Sequence, residues 1–305
     1  MDAVTGAFSY TGRAITEELL RRGREVRTLT RQHSPGDLLA GLIHEVPLQF
    51  ADPTALRQAL SGIETLYNTY WVRYARGATT FERAVTNTQA LLEAAMDAGV
   101  RRVVHVSVTN PTLDSPLPYF RGKAQTEALV TASELSYAIV RPTLIFGAND
   151  ILLNNIAWAL RRFPIFPISG SGSYEVQPVA IEDVARICAD AGETTDDIIV
   201  DAAGPEVVSY RQLVQAVARA VGSSSRIVGS PRRLVVVLAN VVGAIHRDVA
   251  LTTDELAGLE ANLLISHQTP LGTSGFRAWV TATANTLGRS YTSEVARNFR
   301  GHQPL

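Results

Sequence analysis

Short apolar runs alternate with amphipathic helical stretches through the first half of this 305-residue chain. The apolar runs typical of strands lie at 3–5, 26–30, 42–49, 65–68, 103–106 and 137–140. The helical stretches between them end near residue 20 or cover 55–60, 81–98 and 118–131. Strands that alternate with helices form βαβ units and a parallel sheet, which is buried on both faces. The sequence therefore predicts an α/β fold with a doubly wound parallel sheet.

Past residue 147 the alternation loosens. Helices are predicted over 151–162, 181–191 and 210–221 and a strand over 197–201, whereas 163–173 is rich in Pro, Gly and Ser. Residues 231–305 are mostly helical and irregular in pattern. We expect a sheet core at 1–147 and a smaller, mostly helical substrate-binding lobe at 148–305. The chain is expected to return to the core at about 177–222.

Charge and cysteine content exclude several classes of protein. The net charge is −1 and the pI is near 6.6, so no basic footprint for nucleic acid is present. The single cysteine, Cys188, excludes an internal disulfide, and no cluster of residues predicts a metal site. Gly6 and Gly12 come too early for a secretory leader, so a cytoplasmic location is expected.

Residues 234–245 are almost entirely apolar and follow Arg232 and Arg233. The segment is too short to cross a bilayer, which takes ~20 residues. It is either a buried or subdomain helix, or a peripheral membrane contact over 232–246 with the arginines at the headgroups.

A glycine-containing turn follows the first predicted strand. Residues 5–12 read TGAFSYTG, which matches the outer glycines of G-x-x-G-x-x-G and has serine at the middle position. Such a turn lets the backbone approach a pyrophosphate, and the following helix N-terminus supplies N–H donors and a positive dipole end. The turn predicts a Rossmann-type dinucleotide site. The candidate cofactor-binding residues here are Gly6, Phe8, Ser9, Tyr10, Thr11 and Gly12.

The end of the second strand bears on which dinucleotide binds. An acidic residue there holds the ribose 2′-OH of NAD, whereas an arginine suits the 2′-phosphate of NADP. Arg31 follows this strand, and no acidic residue occurs until Asp37. We predict NADP(H), with NAD(H) less favoured. Arg13 either assists or is an exposed first-turn residue, and Asp52 either faces the adenine or caps the next helix.

Lys123 is the only lysine, against 27 arginines. It lies four residues after Tyr119, so a helix over 118–131 places both side chains on one face. A lysine ammonium is a compact charge with a tunable pKa, unlike a guanidinium. It favours the phenolate and makes Tyr119 a candidate general acid or base toward a carbonyl or carbinol. Ser107 and Thr109, on one side of the fifth strand's end, are candidates to hold the substrate oxygen.

Four motifs, in order, resemble the short-chain dehydrogenase/reductase superfamily in its extended or atypical branch: TGAFSYTG at 5–12, HVSVTN at 105–110, YFRGK at 119–123 and RPTLIFG at 141–147. Later in the chain, segments 177–179 and 203–205 also resemble that superfamily. The chain is most similar to the NmrA-like and complex I accessory-subunit group. The resemblance implies that Tyr119 is the acid/base and that Lys123 binds the cofactor ribose. It also implies that Arg141 and Pro142 form a wall near the nicotinamide.

The fourth strand ends in Asn68-Thr69-Tyr70-Trp71, where that superfamily has small residues beside the nicotinamide. Asn68 is a candidate cofactor contact. Tyr70 and Trp71 either line a substrate pocket, together with Asn110, or fill part of the cofactor slot.

Three functions follow from these residues. The first is an NADP(H)-dependent oxidoreductase that moves a hydride to or from a carbonyl or carbinol carbon. The second is a non-catalytic NAD(P)-binding regulator or assembly subunit. The third, an NAD(P)-dependent sugar epimerase or dehydratase, ranks lower because 151–180 has no basic cluster beyond Arg161 and Arg162. The expected substrate is a small apolar or mixed molecule. Helices 81–98 and 118–131 form a dimer bundle in many members of the superfamily, which makes a homodimer possible.

Overall fold

The computed structural model describes residues 1–31, 36–300 and 303–304. The chain divides into two compact units. The first is built mainly from Met1–Pro142 and Ile181–Ala202, and the second from Thr143–Ala180 and residues 203–301. The chain thus crosses to the second unit after Pro142 and returns to the first for one helix and one strand.

Fifteen short strands and eleven helices make up the described chain. The strands are β1 (Asp2–Thr5), β2 (Val26–Thr30), β3 (His44–Pro47), β4 (Thr65–Asn68), β5 (Arg102–Val106), β6 (Ser136–Pro142), β7 (Leu144–Phe146), β8 (Ile165–Ser169), β9 (Glu175–Val176), β10 (Pro178–Ala180), β11 (Ile198–Ala202), β12 (Val208–Ser209), β13 (Arg226–Ser230), β14 (Phe299–Arg300) and β15 (Gln303–Pro304). The helices are α1 (Tyr10–Arg21), α2 (Pro53–Leu60), α3 (Phe81–Asp97), α4 (Pro118–Ala132), α5 (Ile151–Arg162), α6 (Ile181–Glu193), α7 (Tyr210–Ala220), α8 (Arg232–Ile245), α9 (Thr253–Glu260), α10 (Phe276–Ala282) and α11 (Glu294–Asn298).

Seven strands of the first unit form one parallel sheet in the order β11-β6-β5-β4-β1-β2-β3. The chain leaves β1 in one direction and resumes at β4 in the other, so the strand order reverses between these two. In such sheets ligands bind at this reversal, outside the carboxyl ends of the strands. The predicted doubly wound, Rossmann-type fold is confirmed.

Strand β5 shows the burial on both faces that is typical of a parallel sheet. All five residues of β5 are buried, including the adjacent Val103 and Val104, whose side chains point to opposite faces. On one face Leu66, Val103 and Ile139 pack in a core with Leu91 of α3. Helix α3 packs against both α2 and α4, and α1 packs against α6.

The second unit is built from three two-stranded sheets and the helices around them. β10 pairs with β7 and β13 with β8, both parallel, while β12 pairs with β9 in the antiparallel sense. Within the Pro-, Gly- and Ser-rich stretch 163–173, Ile165–Ser169 forms a strand that pairs with Arg226–Ser230. Segments 177–179 and 203–205 lie side by side, and the Gln177 side-chain amide donates to the Gly204 carbonyl oxygen at 2.7 Å. Among the described residues no helix is both long and apolar enough to span a membrane.

A buried guanidinium ties β5 to its neighbours in the first unit. Arg102 is fully buried and donates to the carbonyl oxygens of Ala191 at 2.8 Å and Asp196 at 2.9 Å. It also donates to the hydroxyls of Ser136 and Thr194. One side chain therefore donates hydrogen bonds to acceptors at the end of α6, at the start of β6 and in the segment that leads into β11.

Arg102→Leu should lower the free energy of unfolding by about 3 kcal/mol, because it leaves buried acceptors without donors. Chemical denaturation measures the change. Arg101→Leu is the matched control, since Arg101 is adjacent but exposed, and should cost less than about 1 kcal/mol. Equal effects of the two substitutions would contradict a structural role specific to Arg102.

Candidate functional site

The glycine turn lies between the carboxyl end of β1 and the start of α1. Gly6 has a φ of +69°, a conformation that favours glycine. A Cβ on Gly12 would overlap the Gly6 carbonyl oxygen, so α1 can approach the turn only without a side chain there. Ser9 is the N-cap of α1, and its Oγ accepts the Gly12 N–H at 3.3 Å. The serine that replaces the middle glycine therefore starts the helix, and the cradle has the backbone form that a pyrophosphate needs. Phe8, Tyr10 and Thr11 are half-buried around it.

The charged residues near β2 have distinct surroundings. Arg31 is exposed directly after β2. Arg13, in the first turn of α1, forms an ion pair with Asp37 and a longer one with Glu17 at 3.4 Å. The backbone N–H of Leu39 and the Arg13 guanidinium lower the pKa of Asp37. Asp52 is exposed and accepts the Ala55 N–H at 2.9 Å as the N-cap of α2, which was one of its two expected roles.

Lys123 is 3% exposed, and its side chain lies beside the carboxyl end of β5. The ammonium donates to the Val106 carbonyl oxygen at 2.7 Å. The Trp71 ring covers it, with the ring centroid 4.7 Å from Nζ. Burial lowers the pKa of Lys123 to about 7, partly offset by the Glu127 carboxylate. The only lysine of the chain is thus a group that changes charge near neutral pH.

Tyr119 lies in the first turn of α4, one helical turn before Lys123. Its half-buried ring meets the rings of Trp71, Phe81 and Phe120 edge-on, with centroids 5.5 to 6.1 Å apart. Trp71 also contacts Gly122, where a Cβ would lie 2.8 Å from the indole. Glycine at 122 therefore leaves room for the indole, which contacts both the tyrosine and the lysine.

Tyr70 and Trp71 point to different surroundings. The Tyr70 hydroxyl accepts from the Asn87 side-chain amide at 2.7 Å, and its ring packs on Phe50. Trp71 contacts Tyr119 and Lys123 instead, and its Nε1–H is buried with no acceptor in the described part of the chain. Of the two aromatic residues, Trp71 is the one in contact with the candidate catalytic pair.

A chain of buried hydrogen bonds runs beneath this pair. The Asn68 amide donates to Nδ1 of His105 at 3.1 Å, and Nε2 of His105 lies 3.0 Å from the Thr126 hydroxyl. Thr126 donates its own proton to the Lys123 carbonyl oxygen at 2.8 Å, so it accepts from the histidine. Asn68 Oδ1 in turn lies 3.3 Å from the Thr5 hydroxyl. Burial, with a smaller contribution from Lys123, lowers the pKa of His105 to about 3, so the ring is neutral.

The candidate substrate-oxygen donors follow β5. Ser107 is buried, and its Oγ has no hydrogen-bond partner within the described residues. Thr109 is fully buried, and its N–H donates to the Pro142 carbonyl oxygen at 3.2 Å. Asn110 has a φ of +54°, which turns the chain away from the sheet. Ser107 is therefore the hydroxyl of this set with unused hydrogen-bonding capacity.

Arg141 makes a two-point ion pair with Glu127, with Nε 2.9 Å from Oε1. This pair joins β6 to α4, and the Glu127 carboxylate raises the pKa of Arg141, against the effect of burial. The side chain of Arg141 is thus engaged by α4, while Pro142 contributes its backbone to Thr109. The sequence reasoning missed Glu127 and Thr126. Their spacing of four and three residues from Lys123 is the signal that could have found them, since it puts them on one helix face.

Comparisons with known proteins place this chain among nucleotide-binding proteins. Residues 6–151 match the family model described as NAD(P)H-binding. The chain is 25% identical over 224 residues to the NADH dehydrogenase [ubiquinone] 1 alpha subcomplex subunit 9 of Arabidopsis thaliana. That alignment covers 70% of this chain and 56% of that protein. It is 31% identical over 169 residues to the 4-hydroxy-2-methyl-3-oxo-4-farnesyl-3,4-dihydroquinoline-1-oxide ketoreductase of Stigmatella aurantiaca. This second alignment covers 48% of this chain and 51% of that protein. The chain thus spans little more than half the length of these two relatives.

Among solved structures, the NADPH-dependent quinone oxidoreductase of Escherichia coli in complex with NADPH has a TM-score of 0.75. The alignment covers 92% of this chain and 99% of that chain, at 19% identity. At this identity the likeness establishes the fold.

Lys123→Met should remove a pH dependence of stability. The folded pKa of about 7 lies below the ordinary value of 10.5, so between these values the unfolded chain holds a proton that the folded chain has lost. Stability from this group therefore rises with pH in that window. We expect the unfolding free energy of the parent, relative to Lys123→Met, to rise by about 2–3 kcal/mol between roughly pH 7 and 9.5.

Urea unfolding at both pH values measures the difference. Arg121→Met is the control, because Arg121 lies in the same helix and its guanidinium stays charged throughout the window. Identical pH slopes for the parent and Lys123→Met would contradict the lowered pKa of Lys123 in the folded chain.

Proposed function

We propose that this chain, an atypical relative of the short-chain dehydrogenases/reductases, is an NADP(H)-dependent oxidoreductase. The resemblance to that superfamily, predicted from four motifs, is confirmed by the NAD(P)H-binding domain and the relatives. The observation that carries the proposed activity is the Tyr119–Lys123 pair at the start of α4. Its lysine is the only one in the chain and lies buried at the carboxyl end of β5, next to the point where the strand order reverses.

The glycine turn supports binding of the dinucleotide pyrophosphate. Gly6 and Gly12 leave room for close backbone approach, and the N-terminus of α1 adds a positive dipole end. Arg31 is proposed to hold the 2′-phosphate, since it is exposed after β2 while Arg13 is already paired with Asp37. The complex of the Escherichia coli quinone oxidoreductase with NADPH supports the same choice. NAD(H) is the less favoured cofactor.

Bound NADPH would supply the hydride to the carbonyl carbon. The Tyr119 hydroxyl is proposed to donate the proton that the carbonyl oxygen gains. Lys123 is proposed to stabilise the resulting phenolate, which is the role of a nearby cation. Ser107 Oγ would donate a hydrogen bond to the substrate oxygen, because it is buried and has no other partner among the described residues. The aromatic side chains around Tyr119 favour an apolar or mixed substrate over a highly charged one.

Arg31→Ala should weaken NADPH binding by about tenfold or more and leave NADH binding unchanged, because only NADPH carries the 2′-phosphate. Fluorescence titration with both nucleotides measures this. Arg57→Ala, an exposed arginine on α2, is the matched control and should change neither affinity. If the parent bound neither nucleotide, the oxidoreductase proposal would fall.

Tyr119→Phe should leave NADPH affinity intact and lower the rate of ketone reduction by about a hundredfold or more. NADPH absorbance is followed with acetophenone and p-benzoquinone as probes, in keeping with the ketoreductase and quinone oxidoreductase among the similar proteins. Tyr137→Phe is the control, since Tyr137 is also half-buried but lies on β6, away from Lys123. Equal rates in the two variants would count against Tyr119 as the proton donor.

A second candidate function is dinucleotide binding without turnover. The position of Trp71 favours it, because the indole covers the ammonium that would bind the cofactor ribose. In that case the parent would bind NADPH, reduce neither probe, and behave like Tyr119→Phe in every assay. Trp71→Gly would then strengthen NADPH binding by uncovering Lys123.

A further inference from the structure

Helix α8 presents an apolar stripe to solvent in the second unit. Five aliphatic side chains, each between 42% and 74% exposed, recur along its outer face: Leu234, Val237, Leu238, Val241 and Ile245. Spacings of three and four residues place them on one side of the helix. These five residues are called the α8 stripe below.

The inner face of α8 is apolar as well. Val235 is buried, and Gly243 lies so close to the following backbone that a Cβ would contact Asp248. Between residues 234 and 245 the only polar side chain is that of Asn240. A helix that is apolar all round is typical of burial or of contact with lipid. The segment is thus a helix of the second unit, which was one of the two expected alternatives, and its outer face is exposed.

The charge around the α8 stripe is positive. Residues 232–247 contain three arginines and no Asp or Glu. Arg232 pairs with Glu260, whereas Arg233 and Arg247 are exposed at the two ends of the helix. Residues 143–180 and 203–301 together hold 12 arginines and 8 acidic residues, while the rest of the chain has 16 Lys and Arg against 21 acidic residues. The unit that carries the stripe therefore complements an anionic partner.

We propose that α8 docks on the surface of a lipid bilayer that carries anionic headgroups. The α8 stripe enters the boundary of the acyl chains, and Arg233 and Arg247 lie among the headgroups. A helix of 14 residues is about 21 Å long, which is short of the ~30 Å hydrocarbon core, so it lies in the plane of the interface.

Size and composition argue against a protein on this face. One exposed side of such a helix covers a few hundred Å², below the ~800 Å² per partner of a stable dimer. Protein interfaces also draw most of their binding energy from Trp, Tyr and Arg in central pockets. The α8 stripe is wholly aliphatic, and its arginines lie only at the ends.

The test is cosedimentation of the whole chain with vesicles of phosphatidylcholine, alone or mixed with phosphatidylserine. Binding is expected to the mixed vesicles and to weaken as salt is raised. The double variant Val237→Asp, Val241→Asp should lower binding by about tenfold or more, because it puts charge into the apolar boundary. Val207→Asp is its matched control, since Val207 is 50% exposed against 57% for Val237 but lies outside α8. Arg233→Glu should weaken binding by about tenfold, and Arg57→Glu should not.

Three results would overturn the proposal. The first is failure of the parent to sediment with either kind of vesicle. The second is binding that Val237→Asp, Val241→Asp does not change. The third is a parent that self-associates in light scattering and becomes monomeric in the double variant, which would make the stripe an interface between copies. Circular dichroism of each variant shows that a loss of binding is not a loss of fold. NADPH affinity is measured alongside, so the test is independent of the proposed activity.

Discussion

A chain of buried hydrogen bonds joins the strand before the glycine turn to the helix that carries the lone lysine. It passes from Thr5 through Asn68, His105 and Thr126 to the backbone of Lys123. A buried polar network stabilises a fold only when each member has its partner, so a one-residue slip of β4 or β5 would break it and turn Asn68 or His105 to the other face. The neutral histidine keeps the same arrangement of protons across ordinary pH. The network therefore fixes which strand ends meet where the strand order reverses.

Helix α4 is held to the sheet from two sides. The Lys123 ammonium reaches the end of β5, and the Glu127 carboxylate holds Arg141 of β6. Because both contacts lie within the same helical stretch, the position of Tyr119 one turn earlier is set by the core of the first unit. Pre-organised groups of this kind lose little entropy when a substrate arrives. The Trp71 indole contacts both members of the pair, so access to Lys123 depends on one aromatic side chain.

Local pattern was sufficient for the sheet and insufficient for the surroundings of the site. Short apolar runs that alternate with helical stretches located all seven central strands, including β3, whose residues are exposed or half-buried. The pairing of β8 with β13 was missed, since some 60 residues separate them and each strand is short and partly exposed. Tyr119 and Lys123 share a helix face because i and i+4 residues always do. Whether Trp71 lines a pocket or covers the lysine depends on the long-range packing against Gly122 and Phe81, which no local pattern encodes.

The burial of Lys123 leaves the surface of the molecule without a lysine side chain. Apart from the amino terminus and six histidines, every other cationic group of the chain is a guanidinium. Guanidinium groups do not release their protons at any pH that a cell experiences. The arginine charge of the surface is thus constant, and the surface's acid–base behaviour near neutral pH comes from carboxylates and histidines. The one side-chain amine that an acylating agent could modify, Lys123 Nζ, is covered by the Trp71 indole and hydrogen-bonded to a backbone carbonyl. Lysine acetylation commonly alters protein surfaces, but the one lysine of this chain is buried and therefore a poor target for it.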